Sequence, residues 1–406
     1  MILVNFYIMK AYDYIIIGAG IMGLSYAYSL LQKDRKLKVA ILEKEDNVAK
    51  HASGKNSGVI HAGIYYANNS RKLRFCLEGS KLLKEFCFAN NIPINQCGKL
   101  IVAKNEHELP ELLNLYSRAV KNQAPISLVD EREVKNIDKN VVTYQKAIWS
   151  PNTASIPPYT VCEKLKCLLI RKGVKFFFNT KIVDINTNDG YIRSREEKLS
   201  FFTLVNCAGL YADKIANLFG IAKNYRILPF KGYYLVNKSP NLFLRTNVYP
   251  VPNKNYPFLG VHFTVTQSGQ VKIGPTAVPA LWREQYKGLR NFSIKEMFDI
   301  GFWYLKSYLH NDFSFRQLVY QESKYLFWKN LIKDAEKMLN QRLNRKMFKL
   351  SAPGIRAQLY DVVEKKLVND FVFEKTNNSI HVLNAVSPAF TSSFAISDYL
   401  VERYHG

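Results

Sequence analysis

Residues 51–66 read HASGKNSGVIHAGIYY, a run of small, polar and imidazole side chains broken by three glycines. Gly54, Gly58 and Gly63 let backbone approach a flat ligand closely, and Ser53, Asn56, Ser57 and His61 set hydrogen-bonding groups between them. That mixture suits a ligand-facing loop better than a core strand. Ahead of it, Gly18, Gly20 and Gly23 carry the GxGxxG spacing behind the apolar run DYIII, and Glu43 follows Gly23 by twenty residues. Together these residues describe dinucleotide chemistry. The glycines clear a path for a pyrophosphate, the N–H groups of a helix start at Ile21 and Met22 offer it partial positive charge, and a carboxylate at position 43 accepts both hydroxyls of a ribose.

The elements that must position these residues follow from hydrophobic periodicity. Residues 13–17 read as a strand, 24–31 as an apolar helix stopped by Gln32, Lys33 and Asp34, and 38–42 as a second strand leading into Glu43 and Lys44. Residues 14–32 carry no charge, but their fingerprint glycines, tyrosines and serines oppose a membrane span, which needs about 20 apolar residues. Helices are expected over 70–90 and 106–123, with a strand at 98–103 between them. Residues 173–185 form two extended pieces that return to the cofactor sheet, with Ile182 and Val183 beside it. A buried strand at 201–207 ends in Cys207, Ala208 and Gly209, where a second backbone segment passes near the dinucleotide. From 225 to 273 short alternating strands read as an antiparallel substrate-binding sheet, and 293–350 reads as mostly helical. The chain returns through Arg356, a strand at 379–383 and a helix starting near Pro388. The expected class is α/β (α+β). It comprises a discontinuous Rossmann-type unit of residues 10–90, 150–224 and 350–406, and a smaller substrate-binding unit of residues 91–149 and 225–349 with an antiparallel sheet and helices.

Composition bounds the partners. With 406 residues, 48% hydrophobic and 22% charged, the chain holds one large core or two domains. Cys76, Cys87, Cys97, Cys162, Cys167 and Cys207 form no CxxC pair, and no histidine cluster has ligand spacing, so neither a disulfide framework nor a metal site is expected. A reducing cytoplasm is the expected compartment. The residues before the first strand lack the charged start and cleavage site of a secretory signal, and Met9-Lys10 reads as an alternative start. The net charge of +24 points to anionic partners. Arg342, Arg345, Lys346 and Lys349 lie without an acid in residues 341–350, after an aromatic-rich helical stretch over 302–328. This pattern suits an acidic membrane as well as a plain solvated face. Nucleic acid ranks lower, because no RNA- or DNA-binding motif accompanies the charge.

Several blocks carry a family resemblance: residues 51–66, CGKLIVA from Cys97, ILPFKGYY from Ile227, YPFLGVHFT from Tyr256, GPTAV from Gly274, GIRAQ from Gly354, LVNDFVF from Leu367 and IHVLNAVSPAFTSSFAI from Ile380. From about Asp13 to the C-terminus the chain resembles the L-2-hydroxyglutarate dehydrogenase (oxidase) family. GAGIMG and LVNCAG resemble the wider D-amino-acid-oxidase-like FAD superfamily. The resemblance implies FAD as cofactor, L-2-hydroxyglutarate as substrate, 2-oxoglutarate as product, and a quinone pool or dioxygen as electron acceptor, with peripheral membrane contact in the quinone case. It implies cofactor contacts from Gly18, Gly20, Ile21, Met22, Gly23, Glu43, Lys44, Ser53, Lys55, Asn56, Ser57, Gly58, Val59, Ile182, Val183, Cys207, Ala208 and Gly209. The helix start at Pro388, Ala389, Phe390, Thr391 and Ser392 adds N–H groups facing the flavin.

Oxidation of a 2-hydroxy acid moves a hydride from C2 to flavin N5 and a proton from the hydroxyl to a base, with the carboxylates clamped. Arg356, after the glycine turn of GIRAQ, is the first candidate for the clamp, since a guanidinium meets a carboxylate bidentately. Lys231, where the family usually has arginine, supplies a second positive charge. His61 and His262 are the candidate bases, and Tyr66, with Tyr65 and Tyr234, donates to substrate oxygens. His381 is expected to be buried. Each of these has a plain structural alternative: an ion pair, a solvated strand lysine, a packed histidine or a packed tyrosine. Three features depart from the family pattern: Lys55 where members read GHNSG, Tyr233 in place of an acid, and ASIPP at residues 154–158 in place of a GIVD-type run. They leave open an amino acid or glycerol 3-phosphate as substrate, and, in another class, a basic FAD-binding or RNA-associated protein without turnover.

Overall fold

The computed structural model describes residues 10–239, 243–253, 256 and 258–405. The alternative start at Met9 lies outside the described residues. Strand Lys10–Ile17 ends in four buried residues and Val39–Leu42 is buried throughout, so both faces of their sheet need cover. The order across that sheet is Val372–Lys375, Ser379–Asn384, Lys198–Asn206, Lys10–Ile17, Val39–Leu42, Lys175–Phe177. The first pair is antiparallel and the rest are parallel. Alternation sends Tyr14 and Ile16 into one core, under helices Ile21–Lys33, Arg71–Ala89, Pro158–Arg171 and Ala389–Tyr404. Ile15 and Ile17 enter a second core with Leu199, Phe201 and Leu204.

Small residues let the helices cross closely. A Cβ on Gly79 would lie 2.7 Å from the Cα of Ser392, and the hydroxyls of Ser25 and Ser397 meet at 2.8 Å inside the core. That crossing fixes the start of helix Ala389–Tyr404 beside strand Val59–Ile60. There the Thr391 hydroxyl donates to the Val59 carbonyl and accepts from the His61 N–H.

Residues 225–273 do not form the single antiparallel sheet expected from their pattern. Strand Tyr225–Gly232 pairs along its length with Gly354–Asp361 in a four-stranded sheet that also holds Val278–Pro279 and Lys366–Leu367. Strands Leu235–Asn237, Asn247–Pro250, His262–Val265 and Val271–Gly274 belong to an eight-stranded sheet with Lys99–Val102, Ser127–Asp130, Lys146–Ser150 and Phe348–Leu350. The break falls at Gly232. Its Cα sits so near the Thr276 carbonyl that a side chain would crowd it, and the next N–H, of Tyr233, turns to the Thr276 hydroxyl. The pairing of Asn247–Pro250 with Lys99–Val102 is parallel. Residues 341–350 are not helical either: a 3₁₀ turn at Arg345–Met347 leads into strand Phe348–Leu350. Helices Ile294–His310, Phe315–Lys324 and Trp328–Glu336 account for the helical stretch before it. Among the described residues no helix is long and apolar enough to cross a membrane.

A buried fork joins the sheets around the cleft. Arg283 gives its two terminal nitrogens to the two oxygens of Asp213 at 2.8 and 2.9 Å, and Asp213 also accepts the Ile227 N–H. Removing one partner of such a pair leaves an uncompensated buried charge, at a cost of about 3–5 kcal/mol.

Candidate active site

One cleft of about 1610 Å³ runs between the sheet that holds Lys10–Ile17, the four-stranded sheet and the sheet that holds His262–Val265. Backbone shapes its first end. Gly18, with φ +103°, lies where a Cβ would come 2.5 Å from the Cys207 carbonyl oxygen, and a Cβ on Gly20 would come 2.9 Å from the Ser53 hydroxyl. Helix Ile21–Lys33 begins at Gly20 with no side-chain cap from that residue and no acid in its first turn, so its positive end faces the cleft. The Glu43 carboxylate is held by the N–H groups of Ala19 and Glu45 at 2.9 and 3.0 Å and borders the same space. Ser53, Lys55, Asn56, Ser57, Val59, Ile182, Cys207, Ala208, Gly209 and residues 388–391 complete this wall.

Charge and ring planes shape the other end. His262 is stacked on Tyr249 at 4.0 Å, and its Nδ1 lies 2.9 Å from the Gly260 carbonyl. A carbonyl only accepts, so Nδ1 carries the proton and Nε2 carries the lone pair. Burial pushes His262 down to about 4, the Gly260 bond partly opposes this, and Lys99 and Arg356 push it further down. His61 is lowered to about 3, first by burial and then by Lys99, His262 and Lys72; its Nδ1 has no hydrogen-bond partner among the described residues. Both imidazoles are therefore neutral at physiological pH.

Three cations surround them. The Arg356 guanidinium lies over the Phe258 ring at 4.5 Å, on a strand paired with Phe230. Lys72 projects from the first turn of helix Arg71–Ala89 into the cleft and is lowered to about 8 by burial, with Asp370 raising it and Arg356 lowering it. Asp370 spends its oxygens on the N–H groups of Arg71 and Lys72. Lys99 is 1% exposed behind the rings of Tyr65 and Tyr249, 4.8 and 5.2 Å from their centroids, and burial lowers it to about 8 as well. Among the described residues none of the three forms an ion pair with a carboxylate. Glu322, on the same wall, accepts from the Tyr256 hydroxyl and the Ala277 N–H.

A family model described as FAD dependent oxidoreductase matches residues 13–403. The chain belongs to that family. Within it, the chain belongs with the L-2-hydroxyglutarate dehydrogenases. The mitochondrial protein of Nematostella vectensis is 36% identical, over 97% of this chain and 90% of its own length. The Indibacter alkaliphilus protein is 36% identical over 96% and 98%, and the Escherichia coli protein 32% over 97% and 93%. Among solved structures, the L-α-glycerophosphate oxidase of Mycoplasma pneumoniae, with FAD bound, superposes with TM-score 0.75 at 22% identity, covering 98% of this chain and 96% of its own. The glycine oxidase of Geobacillus kaustophilus gives 0.73 at 16%, covering 97% and 94%. Both support the mixed α/β fold.

The cofactor of this family is FAD, and the first end of the cleft fits it: a helix start with no acid in its first turn and the Ser53 hydroxyl on its first N–H, glycines without room for a side chain, and a carboxylate fixed by two N–H groups. Of the residues expected to meet cofactor or substrate, most line the cleft, including His61, Tyr66, His262 and Arg356. Lys231 does not. Phe230 and Gly232 border the cleft, and strand alternation turns Lys231 to the other face, over the Tyr233 ring at 5.4 Å. Val183 is exposed, with its N–H given to Arg193. Gly23, Gly58 and Ser392 act behind the wall: a Cβ on Gly23 would lie 2.1 Å from the Gly18 carbonyl oxygen, and one on Gly58 2.4 Å from that of Ile156. His381 is buried, between Asn206 and Ser379.

Sequence reasoning missed Lys72 and Lys99. The first turn of a surface-type helix hides the first, and Lys99 sits in the apolar strand KLIV, where an alternating lysine reads as solvated. It also missed the ion network around Lys44, whose ammonium reaches Glu45 at 2.6 Å and Glu284 at 2.7 Å. His51, Glu45 and Glu284 have the proximity of metal ligands, but Lys44 already supplies their counter-charge. Lys55 stacks on Tyr286 at 3.6 Å, so this departure from the family pattern links the flavin-side loop to the segment before helix Ile294–His310.

Proposed function

We propose that the protein oxidises L-2-hydroxyglutarate to 2-oxoglutarate. The observation that carries this reading is the convergence, at one end of the cleft, of two cations that form no carboxylate ion pair among the described residues, Arg356 and Lys72, on two neutral imidazoles. A dicarboxylate needs two cations, and a hydroxyl losing its proton needs an unprotonated base. Bound FAD supplies the acceptor for the hydride that leaves C2. Arg356 holds one carboxylate in its fork and Lys72 meets the other. His262 accepts the hydroxyl proton at Nε2, where the Gly260 bond leaves the lone pair. In the protein alone both histidines are too acidic to be strong bases; two arriving carboxylates offset Lys99 and Arg356 and raise them toward the working range. Tyr66 and His61 line the substrate end.

We assign FAD binding to a Rossmann-type unit of residues 10–90, 150–224 and 350–406, and the remaining wall of the substrate site to residues 91–149 and 225–349. Electrons pass on to a quinone or dioxygen, in the quinone case at an anionic membrane surface, for which the net charge of +24 is suited. The six unpaired cysteines suit a reducing cytoplasm.

Anaerobic mixing of the flavin-loaded protein with single substrates tests the reading. L-2-hydroxyglutarate should bleach the flavin, whereas the D-isomer, glycerol 3-phosphate and amino acids should not. Arg356→Met should keep its flavin and lose about 100-fold in reduction rate at low substrate, as expected for a charged hydrogen-bond pair. Bleaching by glycerol 3-phosphate or an amino acid instead overturns the substrate, and an unchanged rate in the variant removes Arg356 from the clamp.

A further inference from the structure

Helix Ile294–His310 has two opposite faces, and the outer one is apolar. Glu296, Ile300, Tyr304 and Ser307 are buried against the body of the protein. Ile294, Phe298, Phe302, Leu305 and Leu309 are between 59 and 68% exposed. At 3.6 residues per turn these five fall within an arc of about 80°, directly opposite the buried set. A surface helix ordinarily shows the reverse, with charge on the outer face. Beyond the helix, the turn into Trp328–Glu336 exposes Leu326, Phe327 and Trp328 as well. A contiguous apolar stripe of this kind marks an interaction surface.

The charges around the stripe say what covers it. Residues 287–329 carry Lys287, Arg290, Lys295, Lys306, Arg316, Lys324 and Lys329. Of the acids in the same stretch, Glu296 is paired with Lys214, Asp312 with the Tyr360 hydroxyl and Glu322 with Tyr256, all buried, which leaves Asp299 at the surface. An apolar stripe about 25 Å long by helix rise, framed by cations and short of counter-charge, matches the boundary of an anionic bilayer: acyl chains for Phe298 and Phe302, headgroups for the lysines. A nucleic acid would satisfy the cations and leave the stripe in water. A second copy of this chain would bring the same positive charge to the contact.

We propose that helix Ile294–His310 lies flat in the headgroup region of an anionic membrane and is the element by which this protein docks there. The assignment rests on the membrane reading above and gives it a specific face. The segment leading into the helix, Arg290 to Ser293, also borders the cofactor cleft, so docking by this face sets the cleft wall next to the lipid surface.

Flotation of the flavin-loaded protein with vesicles of phosphatidylglycerol and phosphatidylcholine, against phosphatidylcholine alone, tests the proposal. The wild type should float with the anionic vesicles at low salt and much less with the neutral ones. Phe298→Ser combined with Phe302→Ser should lower partitioning about tenfold or more, from the apolar area lost. Because both positions are exposed, melting temperature and turnover with a soluble dye should stay at wild-type values. Failure of the wild type to bind anionic vesicles overturns both the membrane reading and this face. Wild-type binding that survives the double variant overturns the face and leaves the membrane reading standing. A concentration-dependent dimer that the double variant abolishes assigns the stripe to a second copy and overturns the proposal.

Discussion

The two ends of the cleft are built in different ways. At the end proposed for FAD the wall is shaped by backbone, with no room for a side chain at Gly18, Gly20 and Gly23. At the end proposed for the substrate, side chains from helix Arg71–Ala89 and strands Lys99–Val102, His262–Val265 and Gly354–Asp361 set up a field in which, among the described residues, the cations form no carboxylate ion pair and the imidazoles stay neutral. The first end is sensitive to added volume and the second to changed charge. Placing a cofactor firmly needs shape held by a continuous turn, whereas discriminating a small dianion needs desolvated charge, which only distant segments brought together can supply.

The largest effect expected from breaking this contrast is at Gly23. A methyl there meets the Gly18 carbonyl oxygen at 2.1 Å and the Ile16 side chain at 3.2 Å, so the turn itself must move. Gly23→Ala should purify nearly colourless, with flavin content reduced about tenfold, since overpacking of this kind costs about 1–3 kcal/mol in the bound form. The flavin-to-protein absorbance ratio measures it. Full flavin content in that variant would mean that the first end tolerates volume after all.

Lys72→Met tests the second end by charge with little change of volume. FAD should remain bound, while kcat/KM for L-2-hydroxyglutarate falls about ten- to a hundredfold, mainly through KM, as for loss of one charged contact. The pH profile gives a second readout. Burial brings Lys72 down to about 8, so the cation is present below that pH and lost above it. Wild-type kcat/KM should therefore decline on the alkaline side of about 8, and the variant should show a shallower decline from a lower plateau. An identical alkaline limb in both would remove Lys72 from the substrate end.

Legibility in the sequence divides along the same line. Strand, glycine turn, helix and Glu43 were readable because their recognition chemistry lies in one stretch with fixed spacing. Motifs that carry a family resemblance pointed to Arg356, His61 and His262, and all three line the cleft. Lys231 shows that a motif gives position but not face: its strand turns it away from the cleft, which Lys72, from a segment with no motif, borders. The split of residues 225–273 between two sheets was hidden for a related reason. Alternation predicts strands, but their partners depend on the turn at Gly232 and on residues 354–361, far along the chain.

Lys99 gives the finest test, since it lies near both histidines without bordering the cleft. A fully buried lysine with two aromatic rings and, among the described residues, no carboxylate ion pair is costly, and its plain structural reading is a cation held by Tyr65 and Tyr249. The alternative is that its charge keeps the histidines neutral: after burial, it is the leading charge that lowers His61, and it lowers His262 too. A histidine held below its ordinary value is neutral above its folded pKa and takes a proton only as pH falls through it. Removing the positive charge moves that point up. Lys99→Met should therefore shift the acid limb of kcat/KM upward by about half to one pH unit, equivalent to roughly 0.7–1.4 kcal/mol, while rates near pH 8 change little. Because an apolar side chain of similar length replaces a buried charge, melting temperature should hold or rise. Anaerobic flavin reduction across pH, read beside thermal melting, separates the two roles: a lower melting temperature with an unmoved limb would make Lys99 a packing residue and leave the neutrality of both imidazoles to burial and the charges of Lys72 and Arg356.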